Sequence, residues 1–121
     1  MDNNEYPVIS RYTREQAIDD GVLVDVTLQA RETGIALPTV ITDHLHNVLA
    51  DIPRGRIGQD YRGRLHDTLW MTFLKLKAMQ GRNNPEPAFP AQVEVIIDRS
   101  MVKLWIVVDG DGLTIMYPED Y

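Results

Sequence analysis

At 121 residues, with 44% hydrophobic and 25% charged residues, the chain has the size and balance of one globular domain, residues 1–121, built on a single core. The absence of cysteine excludes disulfides, thiolate metal sites and cysteine nucleophiles, and it suits a reducing cytoplasm. A net charge of −6 opposes bulk attraction to nucleic acid, no apolar run reaches the roughly 18 residues needed to cross a membrane, and the acidic opening MDNNEYPV does not read as a secretory signal.

Residues 8–12 (VISRY) form a short β-prone run. Thr13 follows as a helix N-cap, and Gln16 three residues on completes a capping-box pattern, so the pair can satisfy each other's orphan donors. This helix should carry Ala17 and Ile18 and stop at Gly21. Val22, Leu23, Val24 and Val26 then read as a buried strand, and Leu28 to Glu32 as a helical turn closed by Gly34. Residues 38–41 (PTVI) look briefly extended. Thr42 or Asp43 can cap the next helix, which carries Leu45, Val48 and Leu49 on one face and is ended by Pro53.

A glycine-containing loop, RGRIGQ, leads to a long helix starting near Asp60 and ending around Gly81. Leu65, Leu69, Phe73 and Leu76 fall on one side of it, and Trp70 and Leu74 widen the stripe. NNPEPAFP holds three prolines in eight residues and reads as a loop. The period then changes. Val93 to Ile97, Met101 to Val108 and Leu113 to Tyr117 predict three antiparallel strands joined by turns at Arg99-Ser100 and at Asp109-Gly110-Asp111-Gly112. The expected architecture is α+β: a C-terminal three-stranded antiparallel meander packed against the long helix, with short N-terminal strands and helices. Its core should hold Val22, Val24, Leu45, Leu49, Leu65, Leu69, Phe73, Val95, Ile97, Leu104, Ile106, Val108 and Ile115.

The charge is unevenly spread. Between Arg54 and Arg82 lie seven basic and two acidic residues, a net +5, whereas the remainder has five basic and sixteen acidic, a net −11. The polar set that stands out is Arg54 and Arg56 flanking Gly55, with Arg62 and Arg64 flanking Gly63 at the start of the long helix. Cations there oppose the helix macrodipole by roughly 0.3–1 kcal/mol, and a bound phosphate or carboxylate would relieve that penalty. The same arginines could instead pair internally with Asp51, Asp60 or Asp67, or simply stay solvated.

Other motifs carry less. The Asp-Gly tract at 109–112 lacks the further ligands of a calcium loop and suits a hairpin. His44 and His46, two apart on a predicted helix, point about 200° from each other and cannot hold one metal there. His66 and Asp67 are helix neighbours and so not a ready acid–base pair. Neither Ser10 nor Ser100 sits in a nucleophile elbow, and there is no phosphate-binding glycine loop. No cofactor or metal ligand set is expected.

The stretches TREQAIDDGVLVDVT (13–27), GRLHDTLWM (63–71) and LTIMYPED (113–120) resemble a family of small uncharacterised bacterial proteins encoded on plasmids, phages and other mobile elements. These blocks cover about a quarter of the chain, in the family's order. The chain departs from the family between Leu37 and Arg62, where PRGRIG replaces a longer acidic stretch. The resemblance implies no activity and no catalytic residue, only a context in which accessory proteins often act by binding.

The composite expectation is a non-enzymatic, cytoplasmic protein-binding protein of a mobile genetic element, of the kind that inhibits a host defence system such as CRISPR or restriction, with a host protein as partner. One alternative is a nucleic-acid-binding accessory protein using Arg54, Arg56, Arg62 and Arg64. Another is an enzyme with a site near His66 and Asp67.

Overall fold

A computed structural model describes residues 12–81 and 88–121. The β-prone run at 8–11, Arg82 and most of the proline-rich loop lie outside the described residues. Elements follow in the order α1 (Arg14–Asp19), β1 (Leu23–Asp25), α2 (Thr27–Thr33), β2 (Thr39–Thr42), α3 (Asp43–Ala50), α4 (Tyr61–Gln80), β3 (Ala91–Ile97), β4 (Ser100–Asp109) and β5 (Gly112–Met116), with a closing 3-10 turn, Pro118–Asp120.

Local chemistry starts and stops the helices largely as the sequence implies. At α1 the capping box is formed: Gln16 N donates to Thr13 Oγ1 (3.0 Å) and Thr13 N donates to Gln16 Oε1 (2.8 Å). α2 ends at Gly34 in the left-handed conformation. Thr42 caps α3 by accepting from Leu45 N, and Asp60 caps α4 by accepting from Gly63 N at 2.7 Å.

The protein is α+β, and its sheet is larger and more mixed than a meander. Five strands run in the order β1-β2-β5-β4-β3. β3, β4 and β5 are antiparallel neighbours as expected, but β5 also pairs parallel with β2, which pairs antiparallel with β1. The central member on the N-terminal side is therefore β2, with all four residues buried, and not the segment around Val22. Val22 is 44% exposed, because it precedes the three-residue edge strand β1 instead of lying in a buried one. Phe73, Val24 and Val108 are half-buried against the core, and the other expected core residues are buried.

α4 packs over β3 and against α2 and α3. Its inward face carries Leu65 and Leu69, together with Thr68 and Thr72, which are fully buried. Each threonine hydroxyl donates 2.9 Å to the carbonyl one turn back, on Arg64 and Thr68 respectively, so neither is left unpaired.

The β3–β4 turn differs in detail from the sequence reading, while the β4–β5 turn falls on the Asp-Gly tract as expected. The β3–β4 turn is Asp98-Arg99, both at positive φ (51° and 68°), one residue earlier than expected. In the β4–β5 connection the positive φ belongs to Gly112 at 129°, and a Cβ there would lie 2.3 Å from the Pro38 carbonyl oxygen. That closeness lets Leu113 N donate to Pro38 O (2.8 Å) where the parallel pairing begins.

Leu69→Ala should cost about 2–5 kcal/mol in urea or thermal unfolding, as a large-to-small change at a fully buried site. Gly112→Ala should cost at least about 2 kcal/mol through strain and clash, while Gly110→Ala, with open space around the new methyl, should stay within about 0.5 kcal/mol. Equal losses at both glycines would contradict the Pro38 contact.

Candidate functional site

The four arginines singled out in the sequence do not form one surface. Arg64 is only 6% exposed. Its Nη1 donates to the carbonyls of Val48 (3.2 Å) and Asp51 (3.0 Å), closing the C-terminal end of α3. Nε and Nη2 donate to Gln59 Oε1 at 3.1 and 2.8 Å. The guanidinium thus ties α3, the 53–60 loop and α4 together, and it is a structural group. Arg62, two residues away on the helix, points elsewhere, is exposed and lines neither cleft described below.

Arg54 and Arg56 lie on the loop. Arg56 reaches the β3–β4 turn, where its Nη2 sits 2.8 Å from Asp98 Oδ1. The carboxylate oxygen is off the line of the N–H groups, so this contact is an ion pair and not an aligned hydrogen bond. Arg56 Nε is buried without a hydrogen-bond partner among the described residues. Arg64 Nη2 is 3.8 Å from the same Asp98 oxygen. Two guanidinium groups therefore converge on one carboxylate, which leaves a net positive charge.

Two adjoining clefts of about 400 and 410 Å³ surround this point and share Gln59 and Arg99. Arg54 and Arg56 line one; Asp60, Asp67 and Asp98 line the other. Arg99 was not singled out by the sequence, because only the hairpin brings it to the loop. Its left-handed backbone is a costly conformation for a non-glycine residue, of order 1–3 kcal/mol, and it projects the residue into the trough.

His66 and Asp67 rim the first cleft. Their closest approach is 3.9 Å, too long for a hydrogen bond, and both side chains are well exposed. This arrangement lacks the geometry of a general acid–base pair. His44 and His46 have separate partners: His44 Nδ1 lies 3.0 Å from Asp120 Oδ1, and His46 Nδ1 lies 3.0 Å from the Tyr61 hydroxyl. Among the described residues no three His, Asp or Glu side chains are grouped to hold a metal.

Asp120 is the hub of a C-terminal latch. Thr42 Oγ1 donates to it at 2.8 Å and Tyr117 N at 3.1 Å, and His44 stacks on Tyr117 with ring centroids 4.3 Å apart. Burial pushes the Asp120 carboxyl up, but hydrogen bonds from His44, Thr42 and Tyr117, with the His44 charge, outweigh it and hold its pKa below the ordinary value.

The opposite end of the sheet is acidic. Glu15, Asp25 and Asp111 line a cleft of about 290 Å³ with Arg14, whose guanidinium is committed to Leu113 O (2.7 Å), Thr114 Oγ1 (3.2 Å) and Pro38 O (3.3 Å). The Asp98-Arg99 turn and the Asp109–Asp111 turn cap the two ends of the ten-residue strand β4, roughly 30 Å apart. Arg54, Arg56 and Arg64 thus sit at one end of the sheet, with Asp60, Asp67 and Asp98 among them, and Glu15, Asp25 and Asp111 at the other, while Lys75 of the same basic segment lies beside Gln92, Val93 and Glu94. The chain matches no protein-family model, no curated protein and no solved structure.

Arg64→Met should destabilise the protein by about 3–5 kcal/mol in denaturant titration, because the α3 carbonyls and Gln59 lose their donor, whereas Arg54→Ala and Arg62→Ala should each stay within about 0.5 kcal/mol. Asp120→Asn should cost roughly 1–3 kcal/mol at neutral pH. A carboxyl with a depressed folded pKa contributes stability that is complete above its unfolded value near 4 and lost as pH falls through the lower folded value. The deficit of Asp120→Asn should therefore close as unfolding is measured at progressively lower pH below about 4. A deficit constant down to acid denaturation would contradict the role of the ionised carboxylate.

Proposed function

We propose that the chain is a small non-enzymatic protein-binding protein that holds an acidic surface of its partner in the arginine trough. The observation that carries this reading is the grouping of Arg54, Arg56 and Arg99 along one cleft, with Asp98 the acid that Arg56 reaches and Arg64 buried behind as a structural group. An incoming carboxylate would meet three arginines, Arg54, Arg56 and Arg99, of which only Arg56 is paired with an acid of the protein itself. Asp60, Asp67 and Asp98 lie among these cations. They disfavour a run of phosphates but tolerate discrete side-chain carboxylates placed between them, which favours a protein over a nucleic acid.

The family resemblance supplies the context: an accessory protein of a mobile genetic element in the bacterial cytoplasm, with a host defence protein of CRISPR or restriction type as the partner. The acidic end of the sheet would steer and orient the encounter.

The test is a pull-down of the tagged protein from a bacterial host, with half of the lysate treated with nuclease. A near-stoichiometric protein partner that resists nuclease is expected. Reversal of both Arg54 and Arg99 to Glu should weaken its binding at least tenfold, and raised salt should weaken it further. A complex indifferent to both changes would exclude the trough. Recovery of nucleic acid alone, with binding that falls steeply with salt, would replace this reading by the nucleic-acid one.

A further inference from the structure

The sheet has two edges of very different kind. β1 is three residues long and packs against α1, whereas β3 is seven residues long and, among the described residues, has no strand on its outer side. Long edges are normally blunted by lysine, proline or a bulge. Here Val93 to Ile97 carries one charge, Glu94, and the β3–β4 register runs through seven pairs without a bulge.

The hairpin decides which backbone groups face outward. With a two-residue turn, Ile97 and Ser100 exchange both hydrogen bonds, and the pairing alternates from there. Val93, Val95 and Ile97 therefore turn their backbone groups toward β4, and Gln92, Glu94 and Ile96 turn theirs to the open edge. Beside this edge, Met71 (38% exposed), Leu74 (42%) and Lys75 of α4 form a groove of about 350 Å³ with Gln92, Val93 and Glu94.

We propose that β3 pairs antiparallel with β3 of a second copy of this chain about a two-fold axis at Val93, extending the sheet across the dimer. Register, apolar contact and charge all favour a second copy. An axis at Val93 sets Gln92 opposite Glu94 of the other copy, using the outward-facing backbone groups of both. An axis at Glu94 would oppose two glutamates, and one at Val95 would set Glu94 against Ile96. The Val93 axis also brings Met71 and Leu74 of both copies to the seam. Finally, antiparallel pairing sets the Asp98-Arg99 turn of each copy level with the Asp109–Asp111 turn of the other, nearer than parallel pairing would, because Asp109 lies at the same end of the sheet as Ala91.

The patch of β3 and the neighbouring face of α4 is smaller than the roughly 20–30 residues a side of a standard interface, so the association should depend on concentration. Sedimentation equilibrium from micromolar to about 1 mM should show the mass rising from 13.8 kDa toward twice that value. The double variant Met71→Glu, Leu74→Glu changes two exposed side chains and should raise the dimer Kd at least tenfold. Glu94→Pro removes an outward N–H without touching the β3–β4 ladder and should do the same, with circular dichroism confirming the fold. A monomer over the whole range, a dimer unmoved by both alterations, or an edge taken up only by a strand of another protein would overturn the proposal.

Discussion

The buried guanidinium of Arg64 is the interaction on which the functional end of this protein rests. Placing a charge there costs several kcal/mol in lost hydration, and the cost is tolerable only because the group makes four hydrogen bonds while Asp98 stands 3.8 Å away. Those bonds reach the C-terminal end of α3 and the side chain of Gln59, and the ion pair with Asp98 adds the β3–β4 turn. One side chain thus fixes the relative positions of a helix end, a loop and a hairpin that share no secondary-structure pairing. Asp60, as N-cap of α4, offsets the unfavourable placement of two arginines in the first turn. Arg54, Arg56 and Arg99 stand on the loop and hairpin that this framework joins.

Much of the fold was legible in the sequence because its signals are local. The capping box at Thr13, the left-handed Gly34, the Thr42 and Asp60 caps and the stripe of Leu65 and Leu69 depend on neighbours within a turn. β2 was not legible as the centre of the sheet. Two of its four residues are threonines, and their burial is acceptable only because Thr39 donates to Leu37 O and Thr42 to Asp120 Oδ2. Its parallel partner β5 lies some seventy residues on, beyond the reach of any pattern. Val22 misled for the converse reason: a β-branched residue beside a short edge strand has nothing to bury against. Thr68 and Thr72 hid part of the inward face of α4, since their hydroxyls are satisfied by the helix itself.

The site was less legible than the fold. Clustering in sequence suggested that Arg54, Arg56, Arg62 and Arg64 act together, but helical periodicity sends Arg62 to solvent and Arg64 into the interior. Proximity along a helix is the wrong measure for neighbours one or two residues apart. The cation that does join the loop, Arg99, lies on a hairpin whose contact with residues 54–60 depends on sheet order and on how α4 crosses β3. The net charge of the segment is insensitive to which arginine points where, but it also counts Lys75 and Lys77, which α4 carries away from the arginine clefts.

The two surfaces of the molecule bear on one another. β3 ends at the Asp98-Arg99 turn, about five residues from Val93, so a two-fold at Val93 would separate the two turns by roughly 35 Å. Each trough would then lie on an outer end of the extended sheet, facing away from the seam and beside the acidic end of the other copy. The dimer would be less bipolar than the monomer, since each positive end is partly neutralised by its neighbour, and its pull on small ions and nucleic acid would fall accordingly. A partner with acidic surfaces at matching separation would engage both troughs at once, and the second contact would form at the high effective concentration of an intramolecular event. In such a dimer the unblunted edge and the arginine clefts would become parts of one bivalent binding surface.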